Sequence, residues 1–206
     1  MRRHFVHFLW GSLLAILGVI TVFFISVWNG WVGYMPNMDE LSNPIDKFAS
    51  QVYSSDQQLI GTWNADNNNR VAIDYNGLSP HLVHALVATE DERFYEHSGV
   101  DFIALGRAVV KRGVMGQASA GGGSTITQQL AKQLFSEKAH STVERLLQKP
   151  IEWIIAVKLE RHFTKEEILA MYFNYFDFLH NAVGIKRAAN VYFNKEPRKL
   201  TVTEAA

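Results

Sequence analysis

The sequence predicts a mainly α-helical body behind one N-terminal transmembrane helix, with a short β segment between them. Three observations carry this. Phe5 to Trp28 runs 24 residues without a formal charge. Residues 48–75 alternate between apolar and polar side chains in short stretches, and after Ser79 the apolar spacing turns helical with a cap at the start of several segments. The 206 residues carry no net formal charge and no cysteine. A basic nucleic-acid binder and a disulfide or thiolate-metal framework are therefore not expected.

At about 1.5 Å per residue the first apolar run is long enough to cross a ~30 Å hydrocarbon layer. Trp28, Trp31 and Tyr34 follow it as an interfacial belt, and no short apolar region with a small-residue cleavage site is present. An uncleaved signal anchor is the expectation, a buried core helix the alternative. Arg2 and Arg3 precede the run, while Asp39, Glu40 and Asp46 follow it. The positive-inside rule then leaves residues 1–4 in the cytoplasm and everything beyond Trp28 outside. Residues 29–47 form a proline-containing connector, and residues 48–206 form the domain proper.

Within that domain "FASQVYSS", "LIGTW" and "RVAIDY" read as strands, with Asn64 to Asn69 as a loop. Ser79 and Pro80 open a helix, Asp101 caps "FIALGRAVVKRGV", and Thr164 with Glu167 opens "TKEEILAMYFNYF". "LTVTEAA" starts a last helix, with Thr203 as its cap, too short to stand alone. A longer parent protein is expected.

Three constellations point to chemistry. Leu82, Val83, Leu86 and Val87 share a helical arc with Glu90, whereas Asp91 and Glu92 point away. A carboxylate on an apolar face finds a partner or changes its pKa, as a general acid or base requires, unless it simply reaches solvent at the helix end. In "GGGSTITQQL", Gly121 to Gly123 allow close backbone approach and Thr125 with Gln128 has capping-box spacing. The helix start offers N–H groups to an anion, while Gln128 and Lys132 share a face. A capped helix after a glycine linker is the plainer reading. In "QKPIEWIIAVKLERHF", Ile151, Ile154, Ile155 and Leu159 face the core, and Lys149, Glu152 and Ala156 share a neighbouring face, where a surface salt bridge would suffice. His81 and His84 stand three apart but lack acidic or cysteine partners at ligand spacing, so no metal is assigned to them. The segment Phe102 to Val114, with Lys111 and Arg112, either lies on a membrane or packs in the core.

These residues resemble the ordered signatures of the family 51 peptidoglycan glycosyltransferases. "EDERFYEHSG" is similar to the first, "GGSTITQQLAKQLF" to the second, "QKPIEWIIAVKLE" to the third, "KEEILAMYFN" to the fourth and "VGIKRAANVYFNK" to the fifth. The resemblance implies a lysozyme-like glycosyltransferase domain on the outer face of the cytoplasmic membrane. It would polymerise lipid II with inversion at C1 and release undecaprenyl pyrophosphate. By the same resemblance Glu90 is the general base and Glu152 the second catalytic glutamate, near the leaving pyrophosphate. Asp91, Phe94, His97, Ser124, Thr125, Gln128, Gln129, Lys132 and Lys149 are the implied substrate-binding residues. No cofactor is implied as firmly bound; a divalent metal, magnesium or manganese, is the candidate at Glu152. The implied partners are lipid II and the growing glycan strand, membrane lipid and other cell-wall synthesis proteins, with no nucleic acid.

The sequence departs from the family at three places: Gln148 stands where arginine is usual, Gln133 where asparagine is common, and Leu179 where glycine is expected. Two rivals remain, a lysozyme-like lytic hydrolase and a non-catalytic glycan-binding module. Lys132, Lys149 and the helix start favour a diphosphate leaving group over the first, and the pair Glu90 and Glu152 counts against the second. Both a class A penicillin-binding protein and a monofunctional transglycosylase fit.

Overall fold

The computed structural model describes residues 2–37, 40–41, 50–63, 71–111, 123–136, 141–180 and 182–206. Asp39, Asp46 and most of the connector, the loop 64–69, Arg112, and Gly121 with Gly122 lie outside the described residues.

Helix α1 (Arg2–Trp28) is the predicted apolar run, and most of its large side chains are exposed, Phe8 and Val19 by 70% or more. It is long and apolar enough to cross a membrane. Strands β1 (Ser50–Tyr53) and β2 (Leu59–Trp63) pair antiparallel, Ser50 opposite Trp63, with an irregularity at Val52 and Tyr53. The third expected strand does not form. Residues 71–74 belong to no ladder, and Tyr75–Gly77 make a 3-10 turn capped by Asp74. Asn174 explains this: its side-chain amide donates to Ile73 O (2.8 Å) and its oxygen accepts from Ile73 N (3.1 Å). The backbone groups that a strand partner would have needed are already satisfied.

The helical body follows. Helix α2 (Pro80–Glu90) starts at Ser79, whose oxygen accepts from His81 N and whose hydroxyl donates to Leu200 O, 121 positions later. Helix α3 (Phe102–Val109) starts at Asp101, which accepts from Ile103 N and Ala104 N at 2.9 Å each. Helix α4 spans Ile126–Phe135 and α5 spans Thr142–His162 with Pro150 inside it. Helix α6 (Lys165–Tyr175) opens with the expected Thr164–Glu167 capping box. Helices α7 (Ile185–Phe193) and α8 (Val202–Ala205) close the chain. The cap of α8 is Thr201, not Thr203, because Thr201 stands three before Glu204 and completes a reciprocal box with it.

Helix α6 is the axis of the body, buried on every side from Ile168 to Tyr175, as expected of a helix apolar all round. Ile126, Leu130 and Ala131 of α4 and Ile155 and Leu159 of α5 pack in the same core. The far end of α1 also meets α5. Phe24 lies nearly parallel to Trp153 (14°, centroids 6.5 Å apart), Val27 is fully buried, and Lys158 and Arg161 sit over the Trp28 ring at 5.0 and 5.7 Å. Burial against this seam lowers the pKa of Lys158. The mainly α body behind one apolar helix is the architecture the sequence predicts.

Candidate active site

The turn after α2 is locked from within. Asp91, nearly buried, is 3.1 Å from His97 Nε2 through either carboxylate oxygen and accepts from Ile126 N at 3.1 Å. The N-terminus of α4, expected to be open to an anion, therefore already holds the chain's own carboxylate. Phe94 is fully buried, with Lys165 Nζ 4.2 Å above its ring. That ammonium also donates to His97 O and Glu160, which accepts from Thr127 Oγ1 at 2.6 Å. Gly99 takes φ +93°, and a Cβ there would stand 2.8 Å from the carbonyl of Ala156. The missing side chain at Gly99 thus makes room for the backbone of α5. Gly99 O accepts from Thr125 Oγ1 (2.7 Å) and Gln128 Nε2 (3.2 Å). Asp91, Phe94, His97 and Gln128 are consequently turned inward. Gln128 is buried while Lys132 is exposed, so they do not share an open face.

Glu90, the last residue of α2, is exposed at a cleft of about 280 Å³ whose walls include Ser124, Thr125, Gln129, Arg107 and Lys111. The apolar arc runs out where the helix ends, which leaves this carboxylate open. Its Oε2 accepts from Gln129 Nε2 at 2.7 Å, and Gln129 Oε1 accepts from Tyr172 Oη at 3.1 Å. Burial, and secondarily the charge of Glu90, push the Tyr172 phenol up to about 12. It remains a donor at neutral pH, so the amide oxygen of Gln129 faces the tyrosine and its NH₂ faces Glu90. On the far wall Arg93 pairs with Asp101, donating from Nε at 3.0 Å. Burial alone would raise the Asp101 carboxyl. Arg93 and the two capping N–H groups outweigh it and hold the group below the usual carboxylate value.

Glu152 is fully buried rather than half of a surface pair. Its Oε1 lies 2.6 Å from Arg145 Nη1 and its Oε2 2.8 Å from Lys149 Nζ. Lys149 Nζ also donates to Ser124 Oγ at 3.1 Å, which joins the cluster to the edge of the cleft. Two cations around one carboxylate leave a net positive charge, and each cation stays about one-third exposed. These residues do not suit a firmly held divalent ion. The carboxylate is bracketed by cations, and among the described residues no three His, Cys, Asp or Glu cluster for a metal.

Arg145, Tyr172 and Arg107 escaped the sequence reading. Arg145 was accessible to it, standing four before Lys149 and seven before Glu152 on one helical face. Tyr172 was not, since 43 positions separate it from Gln129.

The chain is 44% identical over 138 residues to penicillin-binding protein 1F of Bacillus subtilis (strain 168), covering 67% of this chain and 19% of that protein. It is 36% identical over 197 residues to penicillin-binding protein 1A of Aquifex aeolicus (strain VF5), covering 95% and 26%. To penicillin-binding protein 1A of Escherichia coli (strain K12) it is 37% identical over 172 residues, covering 84% and 19%. The chain thus spans about a fifth to a quarter of the length of the curated relatives it matches. The family pattern described as transglycosylase matches residues 56–206, which takes in the cleft, the locked turn and the buried Glu152 cluster alike, and the chain belongs to that family.

Proposed function

We propose that this chain is the peptidoglycan glycosyltransferase part of a penicillin-binding protein and polymerises lipid II into glycan strands. The observation that carries the reading is the join at the start of α4. There Gln129 holds an open carboxylate, Glu90, on one side, and Ser124 meets the cationic Glu152 cluster on the other. Inverting transfer needs a base at the attacking hydroxyl and positive charge where the leaving group departs. Glu90 takes the proton of the acceptor's sugar hydroxyl, whose oxygen bonds to C1 of the lipid-linked donor. The C1–O bond to the diphosphate breaks, and its electron pair leaves with the diphosphate toward Lys149 and Ser124. Glu152 holds the cations and touches no substrate in this reading. Asp91, Phe94, His97 and Gln128 brace the turn, and Thr125 stands in the cleft wall.

We assign the chain to the cytoplasmic membrane, with residues 1–4 inside and the domain outside. Arg3 at the N-terminal end of α1 and Glu40 beyond its other end support that orientation. Helix α3, which does not pack in the core, supports the membrane setting. Phe102, Ile103, Val109 and Val110 of that segment are exposed by 53 to 72%, with Lys111 beside them, as on a helix that rests on lipid.

The test is polymerisation of labelled lipid II by the full-length protein in detergent, with Glu90→Gln beside it. Polymer from the parent and a loss of roughly 10²- to 10⁴-fold in the folded variant is the expected result. A folded parent that binds lipid II without making polymer, or that cuts glycan instead, overturns the assignment.

A further inference from the structure

The Glu152 cluster holds a cation that the family resemblance does not supply. Arg145 Nη1 donates to both Glu152 Oε1 (2.6 Å) and Gln148 Oε1 (3.2 Å). Among the described residues Nη2 and Nε have no partner, and the side chain is 35% exposed. Gln148 stands where the family has arginine, and here its amide steadies a guanidinium that reaches in from one turn earlier on the same helix face. A buried carboxylate flanked by two cations is costly to desolvate and is weak as a mere fastening. What it does well is hold two cations, each about one-third exposed, in a fixed geometry, one of them bonded to Ser124 at the cleft edge.

We propose that Arg145 is a diphosphate-binding residue of the donor site, supplying from position 145 the guanidinium that the family motif places at position 148. The inference rests on the glycosyltransferase reading above. A planar guanidinium whose Nε–H and Nη2–H edge is unengaged can grip a pair of phosphate oxygens, while Lys149 contributes a point charge. As the C1–O bond breaks, the charge that develops on the diphosphate is met by both.

The experiment measures polymerisation kinetics of the full-length protein with labelled lipid II for Arg145→Ala, Arg145→Lys, and Arg145→Ala combined with Gln148→Arg. Melting curves check folding, inorganic pyrophosphate serves as competitor, and Glu90→Gln is the control. Arg145→Ala is expected to lower kcat/KM about 10- to 100-fold and to weaken inhibition by pyrophosphate. Arg145→Lys recovers little of this, and the double variant returns to within roughly threefold of the parent. If Arg145→Ala polymerises like the parent while Glu90→Gln is dead, the inference fails and the glycosyltransferase reading stands. If the double variant melts like the parent but stays inactive, Arg145 only supports α5 and the inference fails. Should Arg145→Ala not fold, the double variant alone decides by the same two outcomes. A folded parent that forms no polymer removes both.

Discussion

At Glu90 the decisive contact is second-hand. Gln129 touches the carboxylate, but Tyr172 decides which end of that amide does so. Tyr172→Phe removes the donor and lets the amide turn over, so kcat should fall about 5-fold, the equivalent of one lost hydrogen bond of ~1 kcal/mol, with little change in Tm at neutral pH. Kinetics and a melting curve check both halves. The phenol's ordinary value of 10.0 is raised in the fold to about 12. Its contribution to stability is therefore complete below pH 10 and is lost as pH rises through about 12. Tyr172→Phe should abolish that part of the alkaline loss. The helical arc misled at this turn: it puts Glu90 on the apolar side, yet Glu90 is exposed, the helix-end alternative, and its neighbour Asp91 is the buried carboxylate. The i, i+3 spacing did show the Lys149–Glu152 pair. That Asp91, which the arc points away from the core, would be buried and cap a helix 35 positions on was not legible, because periodicity describes one element at a time.

The starts of α2, α3 and α6 at Ser79, Asp101 and Thr164 were read correctly, the cap of α8 two residues late, and an element whose backbone is claimed by a distant side chain was not. The segment "RVAIDY" alternates like a strand, yet Asn174 takes both polar groups of Ile73. Helix α3 hangs on Asp101, whose ionised form is favoured by the fold. A depressed carboxyl stabilises above its unfolded value of 3.8, and that stabilisation is lost as pH falls through the lower folded value. Asp101→Asn keeps a capping oxygen but loses the pair with Arg93, so it should melt earlier at pH 7 and approach the parent as the pH drops below about 4. Melting curves across that range test it. The link between α6 and α7 carries another local cost. Leu179 and His180 stand at φ 69° and 50°, a left-handed pair without glycine, held by Tyr192 Oη donating to Phe178 O at 2.7 Å. Leu179→Gly, the residue the family resemblance leads one to expect, should raise stability by ~1 kcal/mol in chemical denaturation.

Across the whole molecule the apolar span was plain from composition, but its seam with α5 was not, since Phe24 and Trp153 lie 129 positions apart. One inserted alanine turns a helix by ~100°. Placed between Phe24 and Val27 it should pull Val27 or Phe24 off α5 and cut polymerisation in membranes, whereas the same insertion after Leu14 leaves the seam intact and activity near the parent's. Equal loss from both insertions, with both proteins folded, would mean that the seam is incidental. Because Phe24 sits one helical turn below Trp28 and touches the residue next to Glu152, the anchor works as a depth gauge. In the proposed membrane setting, the height of the cationic cluster is then fixed by counting residues along one helix.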